Sequence, residues 1–200
     1  MEYLVTMTTR VPDGTPAETV DEVRAREAGH SAELAAQGSL LRLWRPPLQP
    51  GEWRSLGLFA AADDDQLEEV LVSMPLRVWR TDEVTPLSPH PNDPAVPAKP
   101  RGLAPEFLTT FAIAVPEGTP GQSVDDTEAR EAERARELAG QGYLQRLWGL
   151  PGDGRSLGLW RAQDDAEMQA ILASLPLSAW MAVQTTPLTE HPSDPAIAPS

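Results

Sequence analysis

The chain has 200 residues, and its 16 basic and 30 acidic side chains give a formal net charge of −14. This acidity argues against general binding to nucleic acid or to anionic membranes, because both need a basic face. The absence of cysteine excludes disulfides, thiolate metal sites and a cysteine nucleophile. No apolar run approaches the ~18–20 residues of a membrane span, and the N-terminus lacks the pattern of a signal peptide. We therefore expect a cytoplasmic protein.

The first predicted elements are a strand and a long helix. Residues 3–11 alternate between apolar and polar side chains, which indicates a half-buried strand. After a turn at 12–14, the sequence Thr-Pro-Ala-Glu at 15–18 predicts a capping box, and the helix that it opens should run to Gln37. Gly38 is the expected stop, since glycine adopts the left-handed conformation that ends helices.

Two short strands, a second helix and a last strand follow the first helix. The strands are predicted at 40–45 and 53–59, and the second helix begins at the acidic run 63–65 and ends at Pro75. The last strand covers 79–87. The order β-α-β-β-α-β is that of a ferredoxin-like α+β unit.

The whole pattern is written twice. Residues 11–16 (VPDGTP) return 104 positions later as 115–120 (VPEGTP), and residues 54–58 (RSLGL) return unchanged at 155–159. A period this long that occurs twice indicates a duplicated domain rather than a solenoid.

We predict a first repeat over 1–91, a Pro/Ala-rich linker over 92–104, and a second repeat over 105–200 with a short Pro-rich tail. The repeats could be independent or could share one assembly. The second arrangement is favoured because small domains bury little surface alone. The expected fold class is α+β, with two ferredoxin-like repeats packed sheet to sheet as a fused dimer, a dimeric α+β barrel.

An acidic residue occupies the apolar stripe of the long helix in each repeat. Val20, Val23 and Leu34 define the stripe in the first repeat, and Glu27 lies within it. Glu131 fills the same position in the second repeat. Because burial raises the pKa of a carboxyl group, such a residue suits a proton shuttle.

A structural role for these glutamates stays open. Each could form a buried ion pair with an arginine such as Arg42 or Arg146, or lie at an edge with only its stem buried. One turn further on, His30 could relay a proton or hydrogen-bond a developing enolate, or simply be a solvated surface residue. Arg134 replaces it in the second repeat.

The other candidate groups favour structural roles. His90 and His191 stand in repeated Thr-Pro-Leu-x-x-His-Pro segments and are expected to make contacts at strand ends. Three scattered histidines predict no metal site. There is no Gly-rich phosphate loop and no Gly-x-Ser-x-Gly elbow, so neither a nucleotide cofactor nor serine hydrolysis is expected. Trp44 and Trp148 are expected to pack in the core.

Together these motifs resemble the muconolactone delta-isomerase family. The resemblance spans nearly all of each repeat, and the residues that carry it are Ala25-Arg26-Glu27, Gly38, Leu43-Trp44-Arg45, Leu175-Pro176-Leu177 and Thr85-Pro86-Leu87-x-x-His90-Pro91. It implies ferredoxin-like subunits that pair sheet to sheet and assemble into rings of dimers. A homo-oligomer of fused pairs is therefore expected.

The resemblance also implies a reaction. A cofactor-free, intramolecular oxidoreductase-type isomerase of aromatic catabolism moves a double bond inside a small unsaturated lactone by proton transfer. Glu27 and Glu131 match the family's helix glutamate, so they are the expected bases. The other residues assigned to the site are His30 as a catalytic residue and Arg42, Arg146, Trp44, Trp148 and Arg134 as substrate-binding residues. No cofactor or metal is implied.

The sequence departs from the family where chemistry would occur. Ala28 and Ala132 follow the glutamates where the family often has lysine. Two alternatives therefore remain: a cyclase, dehydratase or cofactor-free oxygenase of a specialised pathway on the same scaffold, or a non-catalytic module that binds small molecules. One copy could also be active while the other is structural.

Overall fold

The computed structural model describes residues 1–94 and 104–197. The chain divides into two compact units. The first unit holds residues 1–87 together with the described residues from 189 onward, and the second unit holds residues 88–188. These units do not coincide with the predicted repeats 1–91 and 105–200: residues 88–91 are counted with the second unit, and the described residues from 189 onward are counted with the first.

The first unit follows the predicted element order. Its elements are β1 (Glu2–Thr9), α1 (Ala17–Ala36), β2 (Leu40–Arg45), β3 (Arg54–Ala60), α2 (Asp64–Ser73), a 3₁₀ helix (Pro75–Trp79) and β4 (Arg80–Pro89). The last two residues of β4 are counted with the second unit.

The second unit repeats that order. Its elements are β5 (Glu106–Ile113), α3 (Gly121–Gly140), β6 (Leu144–Gly149), β7 (Arg155–Arg161), α4 (Asp165–Ala173), a 3₁₀ helix (Ser178–Trp180) and β8 (Met181–Glu190). The last two residues of β8 are counted with the first unit.

Each sheet is antiparallel with the strand order of a ferredoxin-like unit. In the first unit β1 pairs with both β3 and β4, and β3 pairs with β2. In the second unit β5 pairs with β7 and β8, and β7 pairs with β6. The α+β class with two ferredoxin-like repeats is thus confirmed.

The long helices end as predicted but begin differently. Gly38 has a φ of +76° after the last turn of α1, a conformation that disfavours side chains with a Cβ. The capping box is wrong, because Thr15 Oγ1 donates to the carbonyl of Pro12 at 2.7 Å and no side chain caps α1. Asp63 does cap α2, where its carboxylate accepts from the backbone N–H of Gln66 at 2.9 Å.

One face of each sheet carries the core. In the first unit the apolar side of β1 packs with helix residues such as Leu34 and Leu71, and in the second Phe111 meets Trp160 edge to face. The helix stripe predicted from the sequence is buried at Val23 and Leu34. A glutamate in this stripe therefore lies next to the core.

Two further points concern the predicted linker and membrane spans. Most of the linker, residues 95–103, lies outside the described residues. Within the described ranges, no helix has both the length and the apolar character needed to cross a membrane.

Candidate active sites in the two units

The first unit contains a cavity of about 350 Å³ beside α1. Glu27 lines it from the helix, and Arg80 lines it from the start of β4. Arg24 and Arg45 contribute two more cations, and His191 reaches it from the C-terminal segment that belongs to this unit. With Asp21, the cavity thus combines two carboxylates, an imidazole and three guanidinium groups.

Glu27 is held at both carboxylate oxygens. Its side chain is 13% exposed. Oε2 accepts from the backbone N–H of Leu76 at 2.8 Å, and Oε1 accepts from Nη1 of Arg80 at 3.2 Å. Burial raises the pKa of Glu27, although the Leu76 N–H and the Arg80 charge oppose that rise.

The arginine beside Glu27 is shared with a second acid. Arg80 donates from Nε and Nη2 to Asp82 at 2.6 and 3.0 Å, and both side chains are only 2% exposed. Because Asp82 takes the bidentate contact, Arg80 neutralises Glu27 only in part.

His191 offers a hydrogen-bond donor to this cavity. Its Nδ1 accepts from the backbone N–H of Ser193 at 3.1 Å, which places the ring proton on Nε2. Burial, and next the charge of Arg45, lower the pKa of His191 to about 4 although Asp194 opposes the change. The imidazole is therefore neutral at physiological pH, and its Nε2–H has no partner among the described residues.

The second unit has a cavity of the same size, about 350 Å³, and its glutamate has fewer hydrogen-bond partners. Glu131 accepts from the backbone N–H of Leu177 at 2.9 Å through Oε2. Met181 takes the place of the arginine, so Oε1 has no hydrogen bond within the described chain. Burial raises the pKa of Glu131, against the effect of the Leu177 N–H.

His90 repeats the histidine of the first cavity. Its Nδ1 accepts from the backbone N–H of Asn92 at 3.1 Å. Burial lowers the pKa of His90 although Asp93 opposes it. Each cavity thus pairs a glutamate of raised pKa with a neutral imidazole whose Nε2–H is available as a donor.

The sequence of each repeat matches the model of a known protein family. The model described as muconolactone delta-isomerase matches residues 1–93 and again residues 106–194. The chain belongs to the muconolactone delta-isomerase family. The two matches confirm the predicted tandem of two family copies.

Individual members of the family correspond to one repeat each. Muconolactone delta-isomerase 1 of Acinetobacter lwoffii is 34% identical over 46% of this chain and 93% of its own length. Muconolactone delta-isomerase of Cupriavidus pinatubonensis is 33% identical over 46% of this chain and 97% of its own length. These relatives support an isomerase scaffold.

Some solved structures resemble the fold over nearly the whole chain. A chlorite dismutase mutant from Candidatus Nitrospira defluvii aligns with 96% of this chain and 92% of its own, with a TM-score of 0.64 and 12% identity. At that identity the likeness shows a shared fold and nothing about the reaction.

Two residues predicted for the site do not line the cavities. His30 makes hydrogen bonds through Nδ1 to Glu33 at 3.1 Å and through Nε2 to Ser73 at 2.7 Å. Arg134 contacts Ser174 and Glu137 in the equivalent place. Both join a long helix to the helix beside it, and neither lines a described cavity.

The two predicted substrate-binding arginines, Arg42 and Arg146, form ion pairs with aspartates of this chain. Nε and Nη2 of Arg42 donate to Asp194 at 3.1 and 3.0 Å, and Arg146 makes the equivalent pair with Asp93. The guanidinium carbon of each lies 4.7 Å from a tryptophan ring centroid. Arg42 is therefore not the ion-pair partner of Glu27, a role that Arg80 fills.

Trp44 and Trp148 lie under these arginines and are only 2% and 3% exposed. They pack in the core, as predicted from the sequence, and do not line either cavity. Substrate contact by these two tryptophans stays a prediction, and their burial outside the cavities does not support it.

The histidines that line the cavities were interpreted from sequence as strand-end contacts. His191 lies 164 positions after Glu27 and His90 lies 41 positions before Glu131, so no local pattern connects them. The repeated Thr-Pro-Leu-x-x-His-Pro segment was the available signal. Within residues 1–94 and 104–197, no group of three or more histidine and acidic side chains is arranged to hold a metal ion.

Proposed function

We propose that this protein is a cofactor-independent isomerase that moves a double bond in a small unsaturated lactone by carboxylate-mediated proton transfer. One repeated observation carries the proposal. Both units hold a glutamate of raised pKa by a backbone N–H, and each glutamate shares a cavity with a neutral histidine.

The glutamate is the base. The carboxylate removes a proton from a ring carbon, and the C–H electron pair moves into the conjugated carbonyl to form a dienolate. The protonated glutamate then returns the proton to another carbon of the conjugated system, so atoms and electrons balance without an external redox partner. A raised pKa brings the acid closer to the carbon acid in strength, which favours the transfer in both directions.

The histidine stabilises the dienolate. A neutral imidazole that donates through Nε2–H can meet the carbonyl oxygen as negative charge grows there. The contacts of Nδ1 with Ser193 and Asn92 hold the rings in this tautomer. The backbone N–H groups of Leu76 and Leu177 orient the glutamates and keep one oxygen of each fixed.

The decisive experiment replaces the bases. Glu27→Gln and Glu131→Gln keep an acceptor for the Leu76 and Leu177 N–H groups and remove the ionisable oxygen. We expect the double variant to lose at least about 100-fold in kcat for muconolactone isomerisation, the scale of general acid–base catalysis. Glu22→Gln, an exposed residue of α1 outside both cavities, is the matched control and should keep the wild-type rate. A double variant with the full rate would reject the proposal.

A second candidate is favoured by the apolar surroundings of Glu131. Met181, Phe111 and Trp160 line that cavity, which suits an uncharged unsaturated ketone. An uncharged ketone of this kind would be the substrate of a cyclase, dehydratase or cofactor-free oxygenase, and it suits this cavity better than an acidic lactone does. This candidate predicts that muconolactone is inert while the ketone binds; a module without catalysis would bind and leave its ligand unchanged.

The cellular setting and assembly of the protein are proposals of the same origin. Membership of the family favours a homo-oligomer of this chain and a role in aromatic catabolism. A cytoplasmic location is proposed from the composition and the sequence pattern alone.

A further inference from the structure

The two cavities differ in charge although they share size, base and histidine. Three arginines line the first cavity, and each has a different residue at the equivalent place in the second. The three replacements are Arg24 by Glu128, Arg45 by Gly149, and Arg80 by Met181. With the histidines counted as neutral, the side chains that line the first cavity carry three positive and two negative charges. Those that line the second cavity carry two negative charges and no positive charge.

Two of the three arginines are available to a ligand. Arg80 is bound to Asp82 and Glu27. Arg24 instead places its guanidinium carbon 5.2 Å from the ring centroid of Trp53 and forms no ion pair among the described residues. Arg45 likewise has no carboxylate partner in the described chain, and its charge acts on His191. Guanidinium groups with free donors are suited to bind a carboxylate.

The second cavity has no arginine at the equivalent places and does not favour an anionic ligand. A Cβ built on Gly149 would clash with Oγ of Ser88, so a side chain there requires Ser88 to move. Glu128 at the rim repels an anion, and Glu131 does the same from inside. An anionic ligand would therefore meet two like charges and no compensating arginine.

We propose that the two cavities sort ligands by charge. The first unit takes a lactone that carries a carboxylate, bound by Arg24 and Arg45, and the second unit takes an uncharged unsaturated lactone or ketone. This inference rests on the proposed function for the lactone class, but the charge selection itself concerns binding and not proton transfer.

The test uses two inert probes and the full chain. The saturated lactone 5-oxotetrahydrofuran-2-acetate has no double bond to move, and its methyl ester is the same ring without the charge. Trp53 lines the first cavity and Trp160 lines the second. In protein labelled with 5-fluorotryptophan, the ¹⁹F signals of these two residues, assigned with Trp53→Phe and Trp160→Phe, report each site separately.

We expect the acid to shift the Trp53 signal and to bind the Trp160 site at least tenfold more weakly, while the ester shifts Trp160. Arg24→Gln with Arg45→Gln should weaken acid binding at Trp53 at least tenfold, and the retained ester response at Trp160 shows that the variant is folded. Arg26→Gln, an exposed residue of the same helix outside the cavity, is the matched control. Glu128→Arg should let the acid bind near Trp160.

Equal binding of acid and ester at each site would overturn the proposal, and so would failure of both probes to shift either signal. Acid binding that survives the double arginine variant would overturn the assignment of the subsite. Because the probes cannot isomerise, these outcomes are separate from the rate measured with the glutamine variants. Charge sorting without turnover would leave this inference standing and reject the proposed reaction.

Discussion

The same glutamate serves two different electrostatic environments. Glu27 faces Arg80, whose guanidinium also binds Asp82, and Glu131 faces Met181. Both keep a backbone N–H on one oxygen. The backbone hydrogen bond of the proposed base is thus the same in both units, while the residue that faces its second oxygen differs.

His191 makes the folded state sensitive to acid. Its pKa is about 4 in the folded protein and 6.5 in its ordinary state. Between these values the unfolded chain binds the proton and the folded chain does not, so the free energy of unfolding falls as pH falls from 6.5 to 4. The ring is partly exposed, so we expect a total loss of roughly 1 to 2 kcal/mol from this group.

Urea unfolding at several pH values checks this expectation. His191→Gln removes the titrating group and should flatten the pH dependence over that window. Ser193→Ala keeps the backbone N–H that Nδ1 accepts from, so it should retain the wild-type slope. Identical slopes in wild type and His191→Gln would contradict the pKa shift.

At the scale of elements, each β2-type strand is joined to a His-Pro segment by one acid. Asp194 is 1% exposed and accepts from both Arg42 and the backbone N–H of Leu43 at 3.1 Å. Trp44 and Arg45 of the same strand pair with Glu190 and Thr189. These contacts of Asp194 with Arg42 and Leu43, which we call the clasp, fix the segment that carries His191. In the second unit Asp93 accepts from Arg146 and Leu147 N in the same way.

The two clasps differ in burial, so they should differ in strength. Asp194→Asn leaves Arg42 short of a buried partner and is expected to cost about 3 kcal/mol of unfolding free energy. Asp93 and Arg146 are 25% and 35% exposed, so Asp93→Asn should cost only about 1 kcal/mol. Chemical denaturation of the two variants measures the difference, and equal losses would show that burial does not control the clasp.

At the scale of the whole molecule, each unit uses a segment that is remote in sequence. The first unit contains the described residues from 189 onward, and the second begins at 88. A repeat cut out by sequence alone would therefore lack its cavity histidine. Each proposed site therefore follows the compact unit and not the repeat.

Truncation after Leu188 tests this arrangement. It removes His191 and Asp194 from the first unit and leaves every residue of the second cavity in place. In a Glu131→Gln background, where only Glu27 can act as base, we expect the truncation to abolish turnover of the carboxylated lactone. In a Glu27→Gln background, turnover of an uncharged unsaturated lactone by Glu131 should persist. Equal losses in both backgrounds would contradict the division into units.

Local patterns predicted much of the fold because secondary structure depends on near neighbours. The strand at Leu40–Arg45 and the stop at Gly38 follow from alternation and from a conformation that favours glycine. The capping box failed because Thr15 had a competing acceptor in the preceding turn, the Pro12 carbonyl. The stripe also located Glu27 and Glu131, since helical periodicity alone places them beside the core.

The sequence by itself determined the duplication, the α+β class and an acid on the buried face of each long helix, because periodicity and repetition are properties of the chain. Only the tertiary structure decided which groups meet that acid. It placed Arg80 on Glu27, engaged Arg42 with Asp194, and brought His191 to a cavity lined by a helix 164 positions away. Contacts between distant segments depend on how strands pair and where the chain returns, which no local pattern records.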